Sequence, residues 1–223
     1  MFRKSNFPIL RFFEEHKILL LLISLLLLVF SPPFIDEDVL WMKNYSNSIL
    51  ILIVIASYFI VHKNSILRFT SYFTFVFIIL SIFLNGEALV FLSQLGISIL
   101  ILGAFFYVLK EAMSSKGESK NLLLASVTGY VIIGIIGGFL CAGLNIVNPD
   151  SFVHSGGMEL KLYQLIYFSF VSVTTLGYGD ITPMTEKAQA LSLLLALSGQ
   201  LFLTIIMAIN IAKFIKGNAR KNS

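Results

Sequence analysis

The stretch TTLGYGD, residues 174–180, decides the fold predicted for this chain. It follows an apolar, aromatic run, residues 165–173, that is too short to cross a bilayer, and it precedes a long apolar segment that can cross one. Because glycine adopts φ values of either sign, Gly177 and Gly179 allow successive backbone carbonyls to point the same way. A row of aligned carbonyls can replace the hydration shell of a cation. The stretch therefore predicts a backbone site for a desolvated cation.

The composition is that of an integral membrane protein. Hydrophobic residues make up 57% of the chain and charged residues only 13%, which is too little charge to cover the surface of a soluble domain. The net charge of +4 would suggest a nucleic-acid partner in a soluble protein. Here we expect the charges to be divided between the two sides of a membrane, and we expect no nucleic acid. The single cysteine, Cys141, excludes a disulfide within the chain and a cysteine-based metal site.

Hydropathy predicts an all-α membrane protein with six transmembrane helices, and with a re-entrant helix and loop between the fifth and the sixth. The predicted spans are residues 18–30 with an extension to 35, then 48–61, 69–84, 88–109, 122–147 and 187–215. The short helix is predicted at residues 162–174. Residues 29–31 do not show the small-x-small pattern of a signal-peptide cleavage site, so we expect the first apolar run to be retained.

The chain is expected to divide into five segments. Residues 1–17 form a basic, aromatic segment at the membrane interface, 18–110 a four-helix membrane domain, and 111–121 a polar linker. Residues 122–216 contain an outer helix, the short helix with its loop, and an inner helix. Residues 217–223 form a short tail.

Lysine and arginine indicate the orientation in the membrane. Thirteen of the sixteen lie on one predicted side and three lie on the other, so both termini are predicted to be cytoplasmic in a multi-pass protein of the plasma membrane. Eight of the twelve acidic residues lie on the outer side, which gives the outer face 3 − 8 = −5 and the inner face 13 − 4 = +9 per chain. A negative outer face would concentrate cations at the entrance. The avoidance of the inner side by acidic residues explains the same distribution equally well.

The sequence resembles the potassium channel family. Thr175-Leu176-Gly177-Tyr178-Gly179 matches the selectivity-filter signature, with leucine where valine is commoner, and Thr174 and Asp180 on either side also fit. Residues 122–216 as a whole resemble the two-helix pore domain of this family. The resemblance implies a channel that conducts K⁺ passively and is not an enzyme. It also implies a homotetramer with closed symmetry, because the family's pore needs four filter segments and one chain carries one.

The resemblance assigns roles to the residues of the filter. The K⁺ ligands would be backbone carbonyls and one threonine hydroxyl, from Thr175, Leu176, Gly177 and Tyr178. Gly177 and Gly179 would allow the unusual backbone. Asp180 would lie at the outer mouth.

Support for the filter is expected from the short helix. Tyr178 would point away from the pore axis, with its hydroxyl bonded in the pore helix and with Tyr167 and Phe168 packed against its ring. Thr174 comes directly before the filter. Val171 stands where some relatives have a carboxylate that shares a proton with the acidic residue at the mouth, so a pH dependence built on such a pair is not expected.

The inner helix is predicted to carry the gate. Gly199 lies 19 residues after Asp180, at the interval where the family usually has a hinge glycine. A glycine inside a helix costs about 1 kcal/mol against alanine, so bending at a gate or close helix packing is expected to offset that cost. Thr204, Ala208 and Asn210 are candidates for the cavity face.

The outer helix carries small residues at regular spacing. Gly134, Gly138 and Ala142 recur every four residues, which predicts close contact with a neighbouring helix. We interpret these residues as packing positions.

The first four spans lack the charges of a voltage sensor. The fourth, residues 88–109, contains no arginine or lysine, and the second and third contain no acidic partner for such charges. Steep voltage gating uses about 3–4 charges per subunit, each worth about 2.3 kcal/mol per 100 mV. We therefore expect scaffold helices with little intrinsic voltage sensing. Control of the gate by a separate regulatory subunit, a lipid, membrane tension or the filter itself stays open.

Two alternatives come from other classes of protein. A non-conducting or regulatory channel-like subunit would have no physical need for Thr175 and both filter glycines. An intramembrane aspartyl protease could use the Gly-x-Gly-Asp string at residues 177–180, but it needs a second aspartate on another span. Asp36, Asp38 and Asp150 all fall in predicted outer loops. Membrane lipids and K⁺ are the expected partners, and no cofactor is expected apart from K⁺ as the permeant ion.

Overall fold

The computed structural model describes residues 8–31, 39–62, 64–84, 87–113, 119–157 and 159–219. In these residues the chain forms seven helices and one antiparallel pair of short strands. The elements in chain order are α1 Pro8–Phe30, α2 Val39–Val61, α3 Ser65–Leu84, α4 Glu87–Met113, α5 Ser119–Val147, β1 Phe152–His154, α6 Leu162–Val173, β2 Ile181–Pro183 and α7 Glu186–Ala219. The mostly helical structure agrees with the predicted all-α class.

Two helices extend beyond the predicted spans. α1 begins at Pro8, well before residue 18, because proline at the first helical position has a suitable φ and needs no N–H partner. α7 continues to Ala219, past the predicted end at residue 215. These helices are longer than the apolar runs from which they were predicted, because the polar end of a helix can continue into water. The predicted interfacial role of residues 1–7 lies outside the described residues.

Three described helical stretches are long and apolar enough to cross a membrane: Ser65–Leu84, Leu122–Val147 and Glu186–Lys213. Two further apolar stretches, Ile49–Val61 and Leu162–Val173, are shorter. These lengths support the third, fifth and sixth predicted spans. The other three spans stay a prediction.

The chain contains two compact units. The first comprises the described residues within Met1–Glu111 together with Leu123–Thr128. The second comprises the described residues within Ala112–Leu122 and Gly129–Ser223. The predicted segment boundaries, including the linker at 111–121, stay a prediction.

In the first unit, aromatic contacts join the ends of neighbouring helices. The Phe13 ring of α1 stacks on Phe59 of α2 at 5.1 Å, and the hydroxyls of Tyr58 in α2 and Tyr72 in α3 lie 3.1 Å apart. Each contact joins the end of one helix to the start of another, as expected for helices that run antiparallel in sequence order.

The described interior of the first unit contains buried hydroxyl groups. Ser71, Thr74 and Ser81 are buried on α3, and each donates to a carbonyl three or four residues earlier in the same helix. Gly96 of α4 lies directly against Thr74. Among the described residues of this unit, no buried side chain is charged.

In the second unit, α6 is enclosed by α5 and α7. Gly134 of α5 faces the Phe170 ring, and Gly138 faces the backbone of Ile166, so the small residues of the outer helix do make the predicted close contacts. The apolar core of the unit joins five elements, namely α5, β1, α6, β2 and α7. Its buried members are Cys141, Phe152, Leu165, Phe168, Val173, Ile181, Ala188 and Leu195.

The strands β1 and β2 flank α6 and the filter in sequence and pair with each other in space. Phe152 lies opposite Pro183, Val153 opposite Thr182 and His154 opposite Ile181. The intervening segment, residues 155–180, therefore leaves this strand pair and returns to it. The pairing was not predicted, because each strand has only three residues and no alternating pattern marks it.

Candidate functional site

The filter begins in the turn that ends α6. The N–H of Leu176 donates to the Val171 carbonyl at 3.0 Å, and the N–H of Thr175 donates to the Ser172 carbonyl at 3.0 Å. This pair of bonds, around the helix cap at Thr174, is a Schellman motif, which requires a left-handed residue after the cap. Thr175 is that residue, with φ of 61°. The end of the helix thus sets the backbone at the first filter position.

Left-handed residues recur at every second position of the filter. Thr175, Gly177 and Gly179 have φ values of 61°, 62° and 79°, whereas Leu176 and Tyr178 do not have positive φ. Alternation of left- and right-handed residues turns successive N–H groups to one side of a chain and carbonyls to the other. The predicted glycines occupy two of the three positions. Thr175 was predicted as an ion ligand but not as a left-handed residue.

The filter is exposed within a single chain. Leu176 is 60% exposed and Tyr178 is 67% exposed. Among the described residues, the Tyr178 hydroxyl has no hydrogen-bond partner, so the partner predicted in the pore helix is not found within the same chain. Both faces of this stretch are available to other chains or to ions.

Asp180 is held by two hydrogen bonds. The Tyr167 hydroxyl of α6 donates to Oδ2 of Asp180 at 2.7 Å, and the Ser155 N–H donates to the Asp180 carbonyl at 2.8 Å. The Tyr167 hydrogen bond is the main cause that lowers the pKa of the Asp180 carboxyl below its ordinary value, and the nearby His154 ring lowers it further. The Asp180 carboxylate therefore has a tyrosine partner on α6, the helix in which Val171 stands where some relatives have an acidic residue.

The two aromatic residues predicted to pack on Tyr178 have other partners in this chain. Phe168 is buried and packs against Phe152 at 5.0 Å, as part of the core. Tyr167 is 39% exposed and bonds to Asp180. The packing of Phe168 on Tyr178 stays a prediction, since consecutive residues on a helix point about 100° apart and Phe168 faces the core in one chain. Val171 is buried, as expected for an apolar support residue.

Thr174 closes the C-terminal turn of α6 behind the filter. Its N–H donates to the Phe170 carbonyl at 2.9 Å, and its hydroxyl donates to the same carbonyl at 2.6 Å. The hydroxyl thus adds a second donor to a carbonyl that already accepts the backbone hydrogen bond of the helix. Thr174 supports the helix rather than facing an ion directly.

Gly199 packs directly against the end of α6. A Cβ at this position would collide with the Val173 carbonyl oxygen and lie 2.8 Å from Cγ1 of the same residue. Of the two predicted reasons for this glycine, the structure shows the close packing. The observed helix α7 is continuous through this position.

Tyr130 of α5 contacts the same carbonyl. Its hydroxyl donates to the Val173 oxygen at 3.2 Å, and its ring lies 6.3 Å from that of Phe202 on α7. The base of the filter is therefore held by the outer and inner helices at one backbone atom. Sequence reasoning missed Tyr130 because it lies 43 residues from its partner.

The three cavity candidates do not share one face of α7. Thr204 and Ala208 are exposed and lie one turn apart, whereas Asn210 is half-buried. At 100° per residue, Asn210 points about 160° away from Ala208, toward the side that holds Gly199. Thr204 and Ala208 remain candidates for a pore-lining face, and Asn210 does not belong to that face.

A comparison with protein families matches residues 94–216 to a family described as an ion channel. The match covers more than half of the 223-residue chain and includes α5, α6, the whole filter and α7 as far as residue 216. This chain belongs to the ion channel family. The channel's predicted resemblance to potassium channels is thereby confirmed at the level of the family.

A curated relative matches part of this ion channel. It is the two pore potassium channel c of Oryza sativa subsp. japonica, which is 37% identical over 60 residues. The match covers 27% of this chain and 13% of the rice protein, so the chain spans a small part of the length of the curated relative. The activity and the assembly of the rice protein are therefore not assigned to this chain on the basis of the match.

The family match favours neither of the two alternative functions. A channel family is a non-enzymatic class, and a protease would need a second aspartate beside Asp180. Of the candidates, Asp36 and Asp38 lie outside the described residues, and Asp150 is an exposed turn residue. In the described part of the chain, no group of three or more histidine, cysteine or acidic residues is arranged to hold a metal. The expected lack of a cofactor stays a prediction.

Proposed function

We propose that this ion channel conducts K⁺ selectively and passively through a homotetrameric pore lined by residues 175–179. The observation that carries the proposal is the left-handed φ at Thr175, Gly177 and Gly179 directly after the Schellman end of α6. The alternation supports a row of carbonyls on one side, which is the chemistry that replaces the hydration shell of K⁺. The ligands are the carbonyls of residues 175–178 and the Thr175 hydroxyl.

The exposure of the filter supports assembly around an axis. One chain covers one side of an ion path, and the exposed backbone at 175–179 requires other oxygens opposite it. Four copies related by closed rotational symmetry supply equivalent oxygens on all sides. In this assembly Leu176 and Tyr178, exposed in one chain, face the neighbouring subunits.

The length of α6 and the pairing of the strands support a re-entrant path for the filter. Helix α6 has 12 residues and is about 18 Å long, shorter than the roughly 30 Å of a hydrocarbon core. β1 and β2 flank α6 in sequence and pair with each other, which supports entry and exit of the chain on one side of the membrane. By the charge distribution, this is the outer side, with both termini cytoplasmic in the plasma membrane.

Potassium flux into reconstituted liposomes tests the proposal. The wild-type channel is expected to carry K⁺, to carry much less Na⁺, and to be blocked by Ba²⁺. Chemical cross-linking should give products of up to four chains and no larger ones. Equal fluxes of Na⁺ and K⁺ would defeat the selectivity. The variant Gly177→Ala should lose K⁺ flux, because a side chain at a left-handed position is strained. Asp180→Asn would abolish a protease, whereas a channel need not lose conduction.

A further inference from the structure

The exit end of the filter is attached to the loop that follows α5. The Asp180 carbonyl accepts from the Ser155 N–H, and the Ser151 carbonyl accepts from the Met184 N–H, both at 2.8 Å. Between these two bonds, β1 pairs with β2. The loop thus follows the exit segment, residues 180–184, from one end to the other.

Two polar side chains attach this loop to the ends of the long helices. Asn145 lies in the last turn of α5, and its Oδ1 accepts from the Phe152 N–H at 3.3 Å. Ser151 is fully buried, donates to the Asn148 carbonyl at 2.6 Å and lies 3.5 Å from the Thr185 hydroxyl. Thr185 in turn accepts from the Ala188 N–H at the start of α7. The exit segment is therefore connected to both the outer and the inner helix.

Apolar packing holds the same loop against α6. Phe152 is 2% exposed, and its ring lies 5.0 Å from that of Phe168. Ile181, next to Asp180 in β2, is also buried in this cluster. Because Phe152 is buried, its backbone N–H cannot turn to water if the Asn145 side chain is removed.

We propose that residues 148–155, the outer strap, hold the exit end of the filter in its conducting position, and that Asn145 is the residue that positions the strap. The proposal rests on the proposed function, since it concerns passage of K⁺ through this filter. Bound cations stabilise a row of carbonyls that otherwise repel one another. When the cations are removed, the Schellman turn of α6 and the outer strap continue to hold the two ends of the filter.

Removal of K⁺ tests the strap. The full-length channel and its variants are reconstituted, and each is kept either in K⁺ throughout or in K⁺-free Na⁺ solution before K⁺ flux is measured. Wild type is expected to retain its flux after the K⁺-free period. Asn145→Ala should conduct like wild type when it is kept in K⁺. After the K⁺-free period its flux should be about fivefold lower than the flux of the same variant kept in K⁺, which is the factor expected for one hydrogen bond.

Conservative and neighbouring variants provide the controls. Asn145→Asp keeps the acceptor for Phe152 and should behave as wild type, as should Ile146→Ala, which changes the adjacent side chain that is 81% exposed. If Asn145→Ala does not assemble, Ser151→Ala should show the same loss after K⁺ removal, because it also frees the strap.

The outcomes separate the strap from the channel itself. The proposed role of the strap is refuted if Asn145→Ala has the same flux with and without the K⁺-free period. It is also refuted if the flux of Asn145→Ala is lower than that of wild type by the same factor under both conditions. Equal loss in Asn145→Asp and Asn145→Ala overturns it as well. A wild type that carries no K⁺ under either condition refutes the proposed function, whereas a conducting wild type with insensitive variants refutes the strap alone.

Discussion

At the scale of single residues, Thr175 occupies a conformation that its side chain disfavours. A β-branched residue at φ of 61° costs about 1–3 kcal/mol, and such strain persists only where surrounding structure determines it. Here the two hydrogen bonds of the Schellman turn determine the conformation. Glycine would relieve the strain at this position, but it would also remove the hydroxyl that is proposed to bind K⁺. The retained threonine is consistent with a ligand role.

The bond from Tyr167 to Asp180 predicts a dependence on external pH. Because this bond lowers the pKa of the folded carboxyl, its stabilising contribution is present above the unfolded value, about 3.9, and is lost as pH falls through the folded pKa. Tyr167→Phe removes the donor, so the loss should begin at a higher pH. The measurement is K⁺ flux against external pH between about 3 and 7.

Asp180→Asn provides the matched control for this pH dependence. It removes the titrating group, so any acid-induced loss of flux caused by this carboxyl should disappear. An unchanged midpoint in Tyr167→Phe would show that the hydrogen bond does not hold the carboxylate at the mouth.

Gly199→Ala distinguishes packing from hinge bending by the sign of its effect. If the glycine served only to bend, alanine would stabilise the helix by about 1 kcal/mol. The collision with the Val173 backbone predicts destabilisation by about 1–3 kcal/mol instead, because a backbone atom cannot move aside like a flexible side chain. Thermal unfolding of the purified channel measures the difference.

Gly143→Ala is the control for this change. A Cβ at Gly143 meets nothing within 4 Å, so alanine should leave stability unchanged or raise it by up to about 1 kcal/mol. Similar effects at Gly199 and Gly143 would argue against the packing role.

At the scale of elements, α6 is held by neighbouring helices that carry glycine where they contact it. Gly134 and Gly138 of α5 and Gly199 of α7 allow both helices to approach it closely, and Tyr130 adds a hydrogen bond at its end. A short helix of 12 residues has little stability of its own, so these contacts largely hold it. The orientation of the filter therefore depends on the helices on either side.

The face of α5 that contacts α6 gives a prediction of its own. A Cβ at Gly138 would lie 2.6 Å from the Ile166 Cα, so Gly138→Ala should destabilise the pore unit by about 1–3 kcal/mol. A matching loss of K⁺ flux is expected, since α6 carries the filter. Unchanged melting of Gly138→Ala in detergent would show that α5 and α6 are not in close contact.

At the scale of the whole molecule, the helices before the pore are predicted to respond little to voltage. The described part of α4 has its only basic residue, Lys110, in the last turn, and the buried hydroxyls of α3 bond to their own helix. Currents in planar bilayers should therefore show no steep activation between −100 and +100 mV. Over this range, the energy of a single charge that crosses the membrane changes by only about 2.3 kcal/mol per 100 mV. Steep activation would contradict this scaffold role.

Local properties of the sequence determined much of this protein. The apolar runs predicted the helices because burial of apolar side chains in a membrane depends on composition over about 20 residues. The glycine spacing predicted the left-handed filter positions and the contact face of α5, since both depend on the absence of a Cβ. The charges predicted an orientation that remains to be measured.

Contacts between distant residues were decided only by the tertiary structure. Tyr167 meets Asp180 across 13 residues, Tyr130 meets the Val173 carbonyl across 43, and Thr182 of β2 meets the Val153 carbonyl of β1 across 29. None of these pairs has a local pattern, because each depends on how separate helices and strands pack together. The sequence by itself predicted a filter. Only packing decided which side chains hold its two ends, since these contacts form when α5, α6, α7 and the strand pair come together.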